Sequence, residues 1–532
     1  MKKAVCRKWT LGAEMPWFPD FISARPGTHG PVCTLGLDLG TSSAKAVVID
    51  TGGTVLSQAS AGYTVASTAD GFAETEPAHW WSAVTACARE AVHAAGARPS
   101  AIGLSGQMHG LVMTSADGGA LRPALLWADS RATGCLRAYR RLSSSALARL
   151  ANPLAPGMTG PMLKWIAENE PRTYREARWA LQPKDWLRAS LTGEVHAEPS
   201  DASATLLYDV IDDRWDLEVV SALGLEASLL APLLPSAGAA AGHLTAEAGT
   251  ELGLPAGIPV AAGAGDTAAA ALGSGIGPGD IQLTVGTGAQ VIRPLTAPVS
   301  RADAGINLYR SATPDGWYQM GASISAGLSL NWVREIMNAT WAELYASADH
   351  PGQAHDPIFV PHLSGERTPY SDPALRGSWT GLSLAGDRAS LLRGALEGSA
   401  FSIRDALDAL LGEHRPPRLR LAGGGTLAAG WRQLLADVLG LPLYAVDVAA
   451  ASGRGAALLG AHAAGLLSFA DIRGPLAPPA HLVTEPDPAM AAFHAERHAR
   501  FRQIVSALKA TQISAERDAG PGGRSDCAEG AV

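Results

Sequence analysis

The chain has few cysteines, very few lysines and no long apolar run, and each scarcity excludes something. The five cysteines, Cys6, Cys33, Cys87, Cys135 and Cys527, are odd in number and never spaced Cys-x-x-Cys. Neither a disulfide framework nor a zinc site is indicated, and the cytoplasm is the expected compartment. The opening MKKAVCRKWT carries the charges of a secretory leader, but no apolar segment follows it. The longest uncharged run, Ala227 to Gly242, is broken by Pro232 and Pro235, so it is not a membrane span. The 42 basic residues (7 Lys, 35 Arg) against 50 acidic ones give a net charge of −8. That balance argues against a general nucleic-acid or membrane-surface binder.

Several chemical signatures are also missing. There is no G-x-x-x-x-G-K-[ST], no G-x-G-x-x-G after a strand and no G-x-S-x-G elbow. A phosphate-binding loop of the Walker type, a Rossmann dinucleotide site and an α/β-hydrolase nucleophile are thereby excluded. HAERH, with His494 and His498, is not H-E-x-x-H and reads as a solvated helix face rather than a metal site.

Glycine is in excess: 59 of 532 residues, about 11% against a usual ~7%. Glycine and proline together stay below the low-complexity range, so the excess belongs to turns of a folded chain. Hydrophobic residues make up 47% and charged residues 17%. The length suits three or four units, or two large α/β domains.

Residues 1–31 lack periodicity and read as a disordered extension; 512–532 read as a disordered tail. Between them strands alternate with helices, the pattern of an α/β fold. VCTLGLDLG is a strand ending in a turn, SAKAVVID and TVLSQASA are strands, and Pro77 opens a helix with Trp81, Val84, Ala88, Ala91 and Ala95 on one face. DIQLTVGTGAQVIR repeats the outline of LGLDLGTSSAKAVV: strand, Gly-Thr turn, returning strand. This points to an internal duplication, with LGSGIGPGD (272–280) as the boundary. LRLAGGGTLAAGWRQLLADVLG is a further strand-turn-helix unit.

Glycine turns at strand ends carry the chemistry. Asp38-Leu39-Gly40-Thr41-Ser42 puts a carboxylate, a glycine and two hydroxyls on one hairpin. Its N–H groups can face a phosphate and Asp38 can hold Mg²⁺ through water; equally, it can be a hairpin capped by its own aspartate. Gly286-Thr287-Gly288 offers a second hairpin, and Gly423-Gly424-Gly425 a loop that a ligand can approach closely. Asp266 stands where a strand runs through a glycine turn into a helix. It either caps that helix or is a general base in the crevice at a strand's carboxyl end, kept ionised by the helix N-terminus. His109, beside Met108 and between Gly106 and Gly110, is either structural or a ligand contact.

The stretches GLDLGTSSAKAVV, GQMHG, LRPALLWADSR, PKDWLRASLTGE, AAGAGDTAAAALG, TVGTGAQ, PHLSGERTPYSDP, ALEGSAFSIRDALD and LAGGGTLAAGWRQLLADVLG, in that order over residues 33–505, resemble the FGGY carbohydrate kinases of the actin/Hsp70-like ATPase fold. Within that family they are most similar to the xylulokinases. The resemblance implies two actin-like (RNase H-like) domains with mixed sheets flanked by helices and a ligand cleft between them. An N-terminal domain over 32–276 would hold the sugar and phosphate side, and a C-terminal domain over 277–511 the nucleotide side. It implies Asp266 as catalytic base; Met108, His109, Trp127, Asp266 and Thr267 as sugar contacts; and Asp38 near Mg²⁺. Gly40, Thr41, Ser42, Gly286, Thr287, Gly423, Gly424, Gly425 and Gln433 would face ATP. The implied reaction is ATP-dependent phosphorylation of D-xylulose to D-xylulose 5-phosphate, with ATP, Mg²⁺ and the sugar as partners, neither nucleic acid nor membrane, and a homodimer as the expected assembly.

Two positions depart from the xylulokinase pattern: Thr267 and Ala128 stand where many members have Asn. An amide offers donors and an acceptor, Thr one hydroxyl and Ala neither. Either the pentulose is held differently or another ketose or polyol is the acceptor. An actin/Hsp70-like ATPase without a sugar acceptor is the remaining alternative, against which GQMHG and SGERTP speak.

Overall fold

The computed structural model describes residues 32–518, apart from 69, 70, 351, 413 and 427. The 1–31 extension and residues 519–532 of the expected tail lie outside the described residues.

In the first half, β1 (Cys33–Leu39), β2 (Ser43–Asp50) and β3 (Val55–Gly62) form an antiparallel meander. Helix α1 (Pro77–Ala95) follows, then β4 (Pro99–Gly106), which lies parallel to β1. Helices α2 (Pro183–Thr192) and α3 (Pro199–Ala202) precede β5 (Ala240–His243) and β6 (Pro259–Ala261). The strand order is β5-β6-β4-β1-β2-β3, and the two-residue strand Ala264–Gly265 extends the pairing with β4. Helix α4 (Asp266–Gly273) closes this half.

The second half repeats the pattern. Its strands are β7 (Gln282–Val285), β8 (Ala289–Leu295), β9 (Asn307–Arg310), β10 (Trp317–Ser323), β11 (Leu419–Ala422), β12 (Leu443–Val446) and β13 (Ala480–Thr484). Their order is β9-β10-β8-β7-β11-β12-β13. In both sheets antiparallel strands, three in the first and four in the second, are followed by two parallel strands and one antiparallel edge strand. The duplication suspected from one pair of hairpins thus extends over each sheet. Helices α5 (Gly327–Ile336), α6 (Arg388–Leu411), α7 (Ala429–Leu439), α8 (Ala451–Ala463) and α9 (Pro488–Asp518) complete it. Each half has its own apolar core.

Three expectations need correction. The buried face of α1 carries Trp80, Ala83, Val84, Cys87, Ala88 and Ala91, so Trp80 rather than Trp81 enters the core; Trp81 donates to Glu251 instead. Helix α9 continues to Asp518, so 512–518 belong to a helix and not to a structureless tail. His494 and His498 are not solvated: they are 0% and 5% exposed. His498 Nε2 lies 2.8 Å from Asp405 Oδ1. Burial, together with Arg393 and Arg497, pushes His494 down to about 3, so the ring is neutral. A long, largely polar helix hides which face its neighbours cover, and α9 turns this one onto α6.

Part of the glycine excess lies at a place the sequence did not indicate. Helix α8 of the second half packs on β1, β4 and α4 of the first, backbone to backbone. A Cβ on Gly36 would stand 2.0 Å from the Gly453 carbonyl oxygen, one on Gly103 1.7 Å from that of Ala456, and one on Gly455 1.9 Å from that of Ala269. Real Cβ atoms do not come so close, so the joint requires glycine. Arg454, 6% exposed, pins it by donating to the carbonyls of Gly53 at 3.1 Å, Gly273 at 2.7 Å and Leu476 at 2.8 Å. A second tie is Asn152, which donates to Leu308 O and accepts from Leu308 N, both at 3.0 Å.

Among the described residues no helix is long and apolar enough to cross a membrane. Cys33, Cys87 and Cys135 are free and buried.

Candidate active site

Three neighbouring strand ends bring the carboxylates together. Register places Asp38 opposite Ser105, and Ser105 opposite Ala264, two residues before Asp266. Asp38 is 8% exposed and accepts from Ser105 Oγ at 2.9 Å. Burial raises its carboxyl above the usual range, against the pull of Ser105 and Lys45.

Asp266 is the first residue of α4, with Gly265 in the cap position. One carboxylate oxygen, Oδ1, accepts from the Thr267 amide at 2.6 Å and the Thr267 hydroxyl at 3.2 Å. Burial first, and the nearby Asp38 second, push Asp266 up to about 6. Desolvation and a like charge thus raise Asp266 despite the helix end, yet at about 6 it stays mostly ionised at neutral pH. A carboxylate poised near neutrality is what general-base work at neutral pH requires.

Among the residues expected to contact the sugar, Met108 lies so close that a Cβ on Gly265 would stand 2.8 Å from its Cγ. His109 adopts a left-handed backbone, φ 73°, a conformation few non-glycine residues take and one found at ligand sites. Its Nδ1 is 2.8 Å from the Ala204 carbonyl oxygen. A carbonyl only accepts, so Nδ1 carries the proton and Nε2 is left as an acceptor. Burial pushes His109 down to about 4, with Arg367 adding to the shift, which keeps the imidazole neutral. Trp127 Nε1 donates to Thr41 Oγ1 at 2.9 Å, tying the sugar side to the first hairpin. Thr267 is 8% exposed and its hydroxyl is engaged by Asp266, so it reaches the cleft through that carboxylate. Ala128 is exposed and offers no polar atom.

The first hairpin is closed by Gly40 N donating to Ser43 O at 3.0 Å, and the second by Gly286 N donating to Gly288 O at 2.8 Å. Thr41, Ser42, Gly286 and Thr287 retain solvent access. Gly423 has φ 95°, and a Cβ there would stand 2.4 Å from Val285 O. The Gly423–Gly425 turn is thereby pressed against the strand that leads into the Gly286 hairpin. Gln433 is placed otherwise than expected. Its amide donates to Asp437 Oδ1 and Glu485 O, both at 2.9 Å, and accepts from Thr484. Both amide protons are occupied, and the residue ties α7 to β13.

Two residues escaped the sequence reading. The Arg367 guanidinium forms no hydrogen bond or ion pair among the described residues and lies 5.2 Å from the Trp127 ring centroid. It is a cation of the second half standing over Trp127 of the first. The Tyr309 ring is 5.9 Å from that of His109, and its hydroxyl is buried without a partner. SGERTP contained the signal for Arg367; Tyr309 lies in a stretch that carried none.

Matches to known proteins bear on this arrangement. The N-terminal domain model of the FGGY family of carbohydrate kinases matches residues 33–273, and its C-terminal domain model matches 282–464. The chain belongs to the FGGY family of carbohydrate kinases. A xylulose kinase of Klebsiella pneumoniae is 32% identical over 482 residues, covering 89% of this chain and 99% of its own. A solved "xyloylose kinase" from Brucella ovis superposes with a TM-score of 0.84 at 34% identity, covering 90% of this chain and all of its own. The xylulose kinase structure from Rhodospirillum rubrum gives a TM-score of 0.82 at 28% identity over 90% of this chain and all of its own. This FGGY kinase therefore has the two-domain actin-like fold, and it is a sugar kinase.

Proposed function

We propose that this FGGY kinase transfers the γ-phosphoryl group of ATP to a primary hydroxyl of D-xylulose, giving D-xylulose 5-phosphate, with Asp266 as general base. The observation that carries the reading is the Asp266 carboxylate. Thr267 holds Oδ1, and Oδ2 accepts no hydrogen bond among those the structure gives. That free oxygen takes the proton of the attacking hydroxyl. The names of the relatives support xylulose as acceptor.

Phosphoryl transfer asks for alignment and charge stabilisation more than covalent chemistry. Met108 and Trp127 wall the sugar side, and His109 Nε2 accepts from a sugar hydroxyl. The Arg367 guanidinium donates to sugar oxygens from the other half. The N–H groups of Thr41, Ser42 and Thr287 face the phosphates from hairpins that Gly40 and Gly286 close, and Gly423, Gly424 and Gly425 let the nucleotide approach. Asp38 and Asp266 are neighbouring carboxylates, both raised above the usual range. Neither has an ion-pair partner among the described residues, and Lys45 acts on Asp38 only as a nearby charge, which fits a divalent cation bound at Asp38. Mg²⁺, when bound there, neutralises phosphate oxygens. The two halves, read as domains over 32–276 and 277–511, close and exclude water from the transferring group.

An ADP-release assay with D-xylulose, D-ribulose, L-ribulose, D-fructose and glycerol tests the reading. D-xylulose should give the highest kcat/KM. Release that is indifferent to every sugar would point to an ATPase without an acceptor instead.

A further inference from the structure

Behind Asp266 lies a charged cluster that no step above uses. Lys184, Arg188, Glu198, Ser200 and Asp201 are 0% exposed, and Asp185 is 2% exposed. Lys184 Nζ is 2.5 Å from Asp185 Oδ1, 3.4 Å from Glu198 Oε1 and 3.6 Å from Asp201 Oδ2. Arg188 Nη1 is 2.9 Å from Asp185 Oδ1. Two cations thus face three carboxylates. Burial and the surrounding anions raise Asp201 well above the usual carboxylate range, and its oxygens accept no hydrogen bond.

So many ionic groups without water are expensive to bury, and an apolar replacement is often at least as stable. What the cluster touches suggests why it is there. Glu198 accepts from Ser200 N at 2.8 Å, Ser200 Oγ at 2.8 Å and Asp201 N at 3.0 Å. With its proton directed at Glu198, Ser200 Oγ accepts from Gly265 N at 3.1 Å, one residue before Asp266. Arg188 Nη1 donates to Ala262 O at 2.8 Å, four residues before Asp266. A Cβ on Gly106, the residue paired with Gly265, would stand 3.0 Å from Lys184 Cβ. The short segment leading into Asp266 is therefore held at two points by fully buried polar groups.

We propose that Ser200, held by Glu198, which in turn faces Lys184, is a positioning residue for Asp266. Through Gly265 N it fixes the direction in which the carboxylate enters the cleft, while Arg188 fixes the start of the same segment. The inference rests on the reading of Asp266 as the base. Small misplacements at a reacting centre are costly, on the order of 10²-fold for ~1 Å.

The test is a double-mutant cycle in the full chain with Ser200→Ala and Asp266→Ala. In the wild-type background, Ser200→Ala should lower kcat with D-xylulose about 10-fold, with KM for ATP unchanged. In the Asp266→Ala background it should cost nothing further, because its effect passes through that carboxylate. An equal loss in both backgrounds, or an unchanged kcat in the single variant, would overturn the proposal. If Ser200→Ala does not yield folded protein, Ser200→Cys keeps the volume and a weak acceptor. It should then show a partial kcat loss in the wild-type background only, with the same outcomes decisive. Wild-type turnover by Asp266→Ala alone would instead overturn the reading of the base, whatever Ser200 does.

Discussion

At the scale of the residue, the site is a set of side chains whose protonation is set by where they are buried. Asp266 must be unprotonated to take a proton, and burial beside Asp38 lifts it to about 6. Activity therefore rises with pH through that value. The kcat/KM profile for the sugar should show an acid limb with an apparent pKa near 6; a profile flat down to pH 4.5 would contradict the assignment. His109, neutral with Nδ1 on Ala204 O, should act on the sugar alone. His109→Ala should raise KM for the sugar at least ~10-fold and leave KM for ATP within ~2-fold, as loss of one well-placed hydrogen bond of about 1.4 kcal/mol would do. Asp38, Asp266 and His109 could be found in the sequence because each stands beside glycines at a strand end. The task of Thr267 could not: only the fold shows its hydroxyl turned onto Asp266 and not toward a ligand.

At the scale of the element, the strands and their turns were legible and the helix faces were not. β1, β2 and the β7–β8 hairpin follow from alternating apolar residues around Gly-Thr turns, and the structure has them there. On α1, Val84, Ala88 and Ala91 were read onto the buried face, but Trp81 was named where Trp80 is buried. The face of α9 was misjudged because burial of His494 and His498 depends on α6, a partner distant in sequence. The glycines of α8 carried no readable signal either, since glycine is ordinarily unfavourable within a helix. Their reason is the contact with β1 and β4. Gly103→Ala should therefore destabilise the protein by at least ~1–3 kcal/mol, because its Cβ would meet the Ala456 carbonyl at 1.7 Å. Thermal unfolding checks this; a melting temperature within 1 °C of wild type would show that the joint has slack.

At the scale of the whole molecule, two sheets of one pattern are joined by close-packed helices. The duplication was visible in one pair of hairpins, but the antiparallel edge strands that extend it were not, because β5 and β13 are short and weakly patterned. The proposed closing motion rests on a division of labour: Asp266, the proposed base, and the Gly40 hairpin lie in the first half, and Arg367 and the Gly286 and Gly423–Gly425 turns in the second. Small-angle scattering should show a smaller radius of gyration with D-xylulose and a non-hydrolysable ATP analogue than without them. An unchanged radius would mean that the cleft is already closed.

The central claim is that Asp266 carries phosphoryl transfer to D-xylulose. It is tested most directly by the turnover of Asp266→Ala against wild type at saturating ATP and D-xylulose, with circular dichroism to confirm the fold. A loss of kcat of ~10²-fold or more in a folded variant is the predicted result, and near-normal turnover in that variant would contradict the account.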